Sequence, residues 1–113
     1  MTSSYTGPTS SRATVVRATG RLDFHTADEL REKLLRLIGG GAVRVVVDLS
    51  GVESVDSSGI GALVSAYKAA RSDGGDLRLA GPNSGVAAVL EMLNLDKVLL
   101  ACGSPEDAFP ERA

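Results

Sequence analysis

The sequence predicts a single α/β domain on a largely parallel sheet, and three observations predict it. Short β-branched runs alternate with longer segments whose apolar residues recur every three to four positions. Glycine clusters and a Gly-Pro pair separate these segments. The run Val43-Arg44-Val45-Val46-Val47-Asp48-Leu49 is nearly continuously apolar, as a central strand covered on both faces must be. Strand and helix in alternation imply right-handed crossovers between parallel neighbours.

Taken in order, residues 1–11 are rich in Ser, Thr, Gly and Pro. They predict a flexible N-terminal tail, with a weak edge strand as its one structural option. The folded domain is expected over residues 12–113. Ala13 to Ala18 is the first clear strand, ended by Gly20; a tail strand beside it would be antiparallel and would make the sheet mixed. Thr26-Ala27-Asp28-Glu29 has the spacing of a capping box, in which the Thr26 hydroxyl and the Glu29 side chain each satisfy the other residue's backbone N–H. The helix that follows carries Ala27, Leu30, Leu34, Leu37 and Ile38 on one face, and Gly39-Gly40-Gly41 ends it.

After the Val43–Leu49 strand, a helix beginning near Ser57 is expected to turn Ile60, Leu63, Val64 and Tyr67 inward. Ala62, Ala66 and Ala69 favour its helicity, and Gly74-Gly75 closes it. Leu77 and Leu79 mark another strand, stopped by Gly81-Pro82. Asn83 or Ser84 can cap a third helix with the stripe Val86, Val89, Leu90 and Leu93. Val98-Leu99-Leu100 reads as a last short strand. Pro105 and Pro110 limit any C-terminal helix to a turn or two.

Composition narrows the function. The chain has 113 residues, 43% of them apolar, and a net charge of −2. A chain of that size buries a core without staples. Its aromatic residues are few, so Val, Leu, Ile and Ala must build that core. A nucleic-acid partner would call for a basic face, and none is suggested. No apolar run approaches the roughly 20 residues that span a bilayer, so direct membrane insertion is not expected. Met1-Thr2-Ser3-Ser4 lacks the start of a secretory signal, and a cytoplasmic location is expected. The single cysteine, Cys102, reads as a small residue at the end of the last strand rather than a reactive thiol.

The informative stretch is Val52-Glu53-Ser54-Val55-Asp56-Ser57-Ser58-Gly59-Ile60-Gly61. It lies between the carboxyl end of a strand and the amino end of a helix, where open α/β sheets dock ligands and partners. Ser57 follows an acid, Asp56, among residues too small to block access. The plain reading is a helix cap by Asp56 or Ser57. The functional reading is phosphorylation of Ser57, because a phosphate there meets free N–H groups and the positive end of the helix dipole. The fold could accept that phosphate while a partner packed over the turn could not.

Catalysis finds little support. Gly59-Ile60-Gly61 is only the start of a dinucleotide fingerprint, with Val64 where the third glycine belongs, and no phosphate-binding GxxxxGK[ST] loop occurs. Ser57 lacks the G-x-S-x-G elbow of a hydrolase nucleophile. One histidine and one cysteine do not make a metal site. No cofactor and no enzyme activity are expected. Asp23 is an acid just before a helix. If its strand lies beside Val43–Leu49, Asp23 lines the same surface as Ser57.

Two stretches together resemble a family. Gly20-Arg21-Leu22-Asp23-Phe24-His25-Thr26-Ala27 resembles the G-x-L-D-x-x-T-A segment of bacterial anti-sigma-factor antagonists. Asp48-Leu49-Ser50 through Val55-Asp56-Ser57-Ser58-Gly59-Ile60-Gly61 resembles their D-L-x…D-S-[ST]-G-[LI]-G signature. These proteins belong to the STAS domain group, and the resemblance covers roughly residues 13–101. It implies a four- or five-stranded mixed sheet with helices mostly on one side. It implies partner switching: the unphosphorylated form binds an anti-sigma factor that is also a serine kinase, and a sigma factor is freed. Phosphorylation of Ser57 undoes the complex, and a serine phosphatase resets it. The partner surface implied comprises Asp23, His25, Thr26, Asp56, Ser57, Ser58, Gly59, Ile60 and Gly61. The alternative within the same group is a non-phosphorylated STAS scaffold subunit of a signalling or transport complex.

Overall fold

The computed structural model describes residues 2–8, 13–99 and 103–109, and its elements follow one another as strand, strand, helix, strand, helix, strand and three helices. β1 (Thr2–Pro8) pairs antiparallel with β2 (Thr14–Leu22). After α1 (Ala27–Gly39), β3 (Arg44–Val55) lies parallel to β2. After α2 (Ser57–Ser72), β4 (Asp76–Ala80) lies parallel to β3. The spatial order is β1-β2-β3-β4. The parallel part of the sheet is three strands wide, narrower than expected, and β1 extends it along one edge.

Alternation along the strands sorts two cores. Val16, Ala18, Val45, Val47, Leu49, Leu77 and Leu79 face the main core with Leu30, Leu34 and Ile38 of α1 and Ile60, Leu63, Ala66 and Ala70 of α2. Val86 and Leu90 of α3 (Ser84–Met92) join them. Residues one position out of phase, Ala13, Val15, Val46 and Ala80, meet Ala108 and Phe109 on the opposite face. The short α5 (Pro105–Ala108) delivers that cover, with Pro105 in its first turn. Arg78 donates to the Ala108 carbonyl, and its guanidinium lies 4.3 Å from the Phe109 ring centroid. Cover on both faces explains why β3 reads as an unbroken apolar run.

The opposite face also holds Asp48, the one buried charged residue among those described, at 4% exposure. Its carboxylate is 3.4 Å from the Arg17 guanidinium and accepts the Ser50 N–H at 3.0 Å. A buried carboxylate needs such partners, because desolvation without them is costly.

Three expectations are corrected. The last strand over Val98 to Leu100 does not form among the described residues. Asn94 takes a left-handed backbone, φ 58°, and α4 (Leu95–Val98) follows as a helical turn. Leu99 stays helical in its bonding, its N–H donating to Leu95, and only its carbonyl reaches the β4 edge, accepting from Leu79. A three-residue apolar run fits either state, and the chain reversal decided it. In α2, Ile60 and Leu63 are buried and Val64 and Tyr67 pack half-buried against the same core, as expected, and Gly59, Ala62, Ala66 and Ala70 are buried beside them. Alanines let α2 approach the sheet and α1 closely. In α3, Leu93 is the exposed C-cap rather than part of the stripe, because the helix ends at Met92. Finally, the Thr26 capping box does not form, for a reason that belongs to the site. Leu100 and Cys102 lie outside the described residues.

Candidate functional site

The site is built at the carboxyl edge of the sheet, where β2 and β3 deliver two turns side by side. Both strands run further than the apolar pattern suggested, β2 to Leu22 and β3 to Val55. Their ladder shifts register between Arg17 and Thr19 and again between Gly20 and Arg21. Gly20 supplies a positive φ of 80° at the second shift. The strands end in register, Leu22 opposite Val55.

Asp56 then begins the β3–α2 turn. Its N–H donates to the Leu22 carbonyl at 3.1 Å, which ties this turn to the end of β2. Its backbone is extended, and its carboxylate accepts from the N–H groups of Ser58 at 2.9 Å and Gly59 at 3.1 Å. Asp56 is therefore the N-cap, satisfying two donors that a helix start leaves orphaned. Capping done by Asp56 leaves Ser57 free of it. Ser57 is exposed at the first helical position, and its hydroxyl makes no hydrogen bond among the described residues.

Gly59 lies beneath this turn. A Cβ there would sit 2.5 Å from the Leu22 carbonyl oxygen and 2.7 Å from Leu22 Cγ. Only hydrogen at that position lets α2 start against the end of β2. Gly59 and Ile60 are buried, Ser58 is half-buried, and Asp56, Ser57 and Gly61 are exposed. The surface of the motif is thus its outer residues; Gly59 and Ile60 shape it from below.

The second turn, Asp23 to Thr26, joins β2 to α1. Thr26 has a near-helical backbone, φ −117° and ψ −16°, and no side-chain cap bond to the helix. Its hydroxyl faces backwards instead, donating to the Arg21 carbonyl at 2.8 Å and accepting the Asp23 N–H at 3.0 Å. The Asp23 carboxylate accepts the His25 N–H at 3.0 Å, and the Asp23 carbonyl accepts from Thr26 and Ala27. The turn closes on itself, and that is why the capping box fails. Phe24 stands out at 66% exposure, its ring centroid 3.9 Å from that of the exposed His25.

The neighbourhood of Asp23 and the Ser57 turn, inferred from sequence, follows from the β2–β3 pairing. A third contributor was missed. Asn83, the N-cap of α3, donates from Nδ2 to the carbonyls of Val52 at 3.1 Å and Glu53 at 3.2 Å. A cap residue with spare donors gives no sequence signal of where those donors go.

Acidic groups dominate the chemistry of this edge. Glu53 and Asp56 are exposed within four residues of Ser57, and Asp23 is half-buried nearby in the fold. No group of three or more His, Cys, Asp or Glu side chains among the described residues is arranged to hold a metal. The arrangement offers a serine hydroxyl at a helix start, framed by carboxylates and an exposed aromatic.

Comparison with known proteins agrees with this fold. Residues 6–108 match the STAS domain, and the chain belongs to that family. Among its relatives, an anti-sigma F factor antagonist of Paenibacillus polymyxa is 31% identical over 98 residues, covering 86% of this chain and 84% of that one. The anti-sigma-B factor antagonist of Bacillus subtilis is 30% identical over 84 residues, 74% of this chain and 76% of the relative. A Thermotoga maritima crystal structure superposes with a TM-score of 0.84 at 25% identity, covering 93% of this chain and 89% of that one. The chain is thus a STAS domain homologous to anti-sigma factor antagonists, which are regulators rather than enzymes.

Proposed function

We propose that this chain is an anti-sigma-factor antagonist that works as a phosphorylation-controlled partner switch in the cytoplasm. Its unphosphorylated form binds an anti-sigma factor with serine kinase activity and so frees a sigma factor. Phosphorylation at Ser57 releases the anti-sigma factor, and a serine phosphatase restores the binding form. Asp23, His25, Thr26, Asp56, Ser57, Ser58, Gly59, Ile60 and Gly61 form or support the docking edge. The protein acts by binding, and the ATP and metal of the phosphorylation cycle belong to its partners.

One observation carries the reading: Asp56 caps α2 and leaves the adjacent Ser57 hydroxyl exposed and unbonded among the described residues. The names of the relatives support the partner class. The physics of release is simple. A phosphoserine adds about −1.5 to −2 charges at pH 7. On its own chain it gains from the helix dipole and from backbone N–H groups. Against a packed partner it must be desolvated beside Glu53 and Asp56, which is unfavourable. A difference of a few kcal/mol is enough, since about 1.4 kcal/mol changes affinity tenfold.

Titration calorimetry of an anti-sigma factor against the wild-type chain, Ser57→Asp and authentic phosphoserine protein tests it. Affinity should fall at least about tenfold in both modified forms. Equal affinity in all three, together with no phosphate on the protein by intact mass from its own cells, would replace the switch with a constitutive STAS scaffold.

A further inference from the structure

β4 is only five residues long and pairs with β3 from Arg44 to Asp48. The rest of β3, which carries the chain to Asp56 and Ser57, runs past the end of β4. Its pairing there is with β2 alone, through Gly51, Val52, Ser54 and Val55. The opposite edge of that extension has no strand beside it among the described residues. Its carbonyls at Val52 and Glu53 are met by one side chain, the Asn83 amide.

The same amide uses its oxygen elsewhere. Asn83 Oδ1 accepts the Val86 N–H at 2.8 Å and caps α3. Two carbonyls on one side and an N–H on the other fix which end is nitrogen, because only the amide group donates and accepts from one planar head. Asp, Ser or Thr would cap α3 as well. None of them in its usual state could also donate twice to β3. The choice of amide over carboxylate is therefore explained by β3, not by the helix.

We infer that Asn83 is a positioning residue of the Ser57 switch: its side chain stands in for the missing part of β4 and holds the end of β3, and so the Asp56–Ser57 turn, in register with α3. This deepens the switch reading and rests on it for its functional consequence. The mechanical part stands without it. The coupling also runs the other way, so that a displacement of the Ser57 turn is transmitted to the first turn of α3 through a single side chain.

Asn83→Asp separates the two roles. The carboxylate keeps the cap on Val86 but cannot donate, and it sets a negative charge against the Val52 and Glu53 carbonyls. Amide hydrogen exchange on the full chain, read by NMR, should show the Asp56 N–H, which bonds to Leu22, exchanging about tenfold faster than in the wild type, the size of one or two hydrogen bonds. Exchange at Val86 should be unchanged in Asn83→Asp and faster in Asn83→Ala, which loses both contacts. An Asp56 rate equal to the wild type, or a uniform rise at every amide, would overturn the assignment. With an anti-sigma serine kinase that phosphorylates the wild-type chain, Asn83→Asp should raise KM, with kcat unchanged, by the factor that the measured loss of the closed Asp56 turn sets. A KM that stays at the wild-type value in Asn83→Asp when exchange shows the turn open in most molecules would overturn the positioning role, reducing Asn83 to a structural clip. If no such kinase modifies the wild-type protein, the switch reading fails on its own, and the exchange comparison still decides what Asn83 holds.

Discussion

Two turns at the carboxyl edge of the sheet are made from the same chemistry and use it in opposite ways. Each has an aspartate at the end of a parallel strand and a hydroxyl residue at the start of a helix. In the Asp23–Thr26 turn the hydroxyl is consumed: Thr26 Oγ1 bonds back to Arg21 and Asp23. In the Asp56–Ser57 turn the aspartate alone caps the helix, and the hydroxyl is left outward. Residue type does not separate a structural hydroxyl from an available one. The number of unmet backbone groups around it does. Where the aspartate's own backbone needs a partner, as at Asp23, the hydroxyl supplies it. Where the neighbouring strand supplies it, as the Leu22 carbonyl does for Asp56, the hydroxyl is released.

The contrast can be broken at its foundation by Gly59→Ala. The new methyl would collide with backbone and side chain of Leu22, so β2 and α2 must separate. Urea unfolding should show a loss of about 3 kcal/mol, at the upper end of overpacking costs. A loss below about 0.5 kcal/mol would mean the turns are not wedged together as described. Asp56→Ala comes next. It orphans the N–H groups of Ser58 and Gly59 and should cost about 1–2 kcal/mol by the same measurement.

Thr26→Val sharpens the other side of the comparison. It keeps the shape, removes the hydroxyl, and strands the Arg21 carbonyl and Asp23 N–H, at a cost of about 1 kcal/mol in thermal or urea melts. Ser57→Ala is the matching control and the smallest effect, within about 0.5 kcal/mol of wild-type stability. The informative result is the pair: a hydroxyl that matters to folding at Thr26, and one that does not at Ser57. If Ser57→Ala destabilised as much as Thr26→Val, the Ser57 hydroxyl would have a structural job after all.

Much of the architecture was legible because burial leaves periodic marks. β3 showed as an unbroken β-branched run, and α1 as a 3.6-residue stripe whose Ala27, Leu30, Leu34 and Ile38 are indeed buried. The Asp-Ser-Ser-Gly turn was legible as a break between two such patterns. The last six residues of β3, Ser50 to Val55, were not, because four of them, Ser50, Gly51, Glu53 and Ser54, are exposed. Their strand conformation comes from the β2 ladder, which no local preference reports. The inward face of α2 was legible in part: Ile60, Leu63, Val64 and Tyr67 pack into the main core as their spacing implies, whereas the full burial of Ala62 and Ala66, which read only as helix formers, is set by what packs against them.

By itself, the sequence determined the succession of strands and helices from β2 to α3, the need for a cap at the start of α2, and the exposure to be expected of a small polar residue there. These are short-range properties, set by side-chain period and by the backbone groups a helix end leaves unmet. Only the tertiary structure decided which hydroxyl stays free, which glycine is indispensable, and which distant asparagine reaches the Ser57 turn. Each of those depends on what lies across a strand boundary: the Leu22 carbonyl over Asp56, the Leu22 side chain against Gly59, and the open edge of β3 facing Asn83. Register and the early end of β4 bring them together, and neither is written in the residues on one side alone.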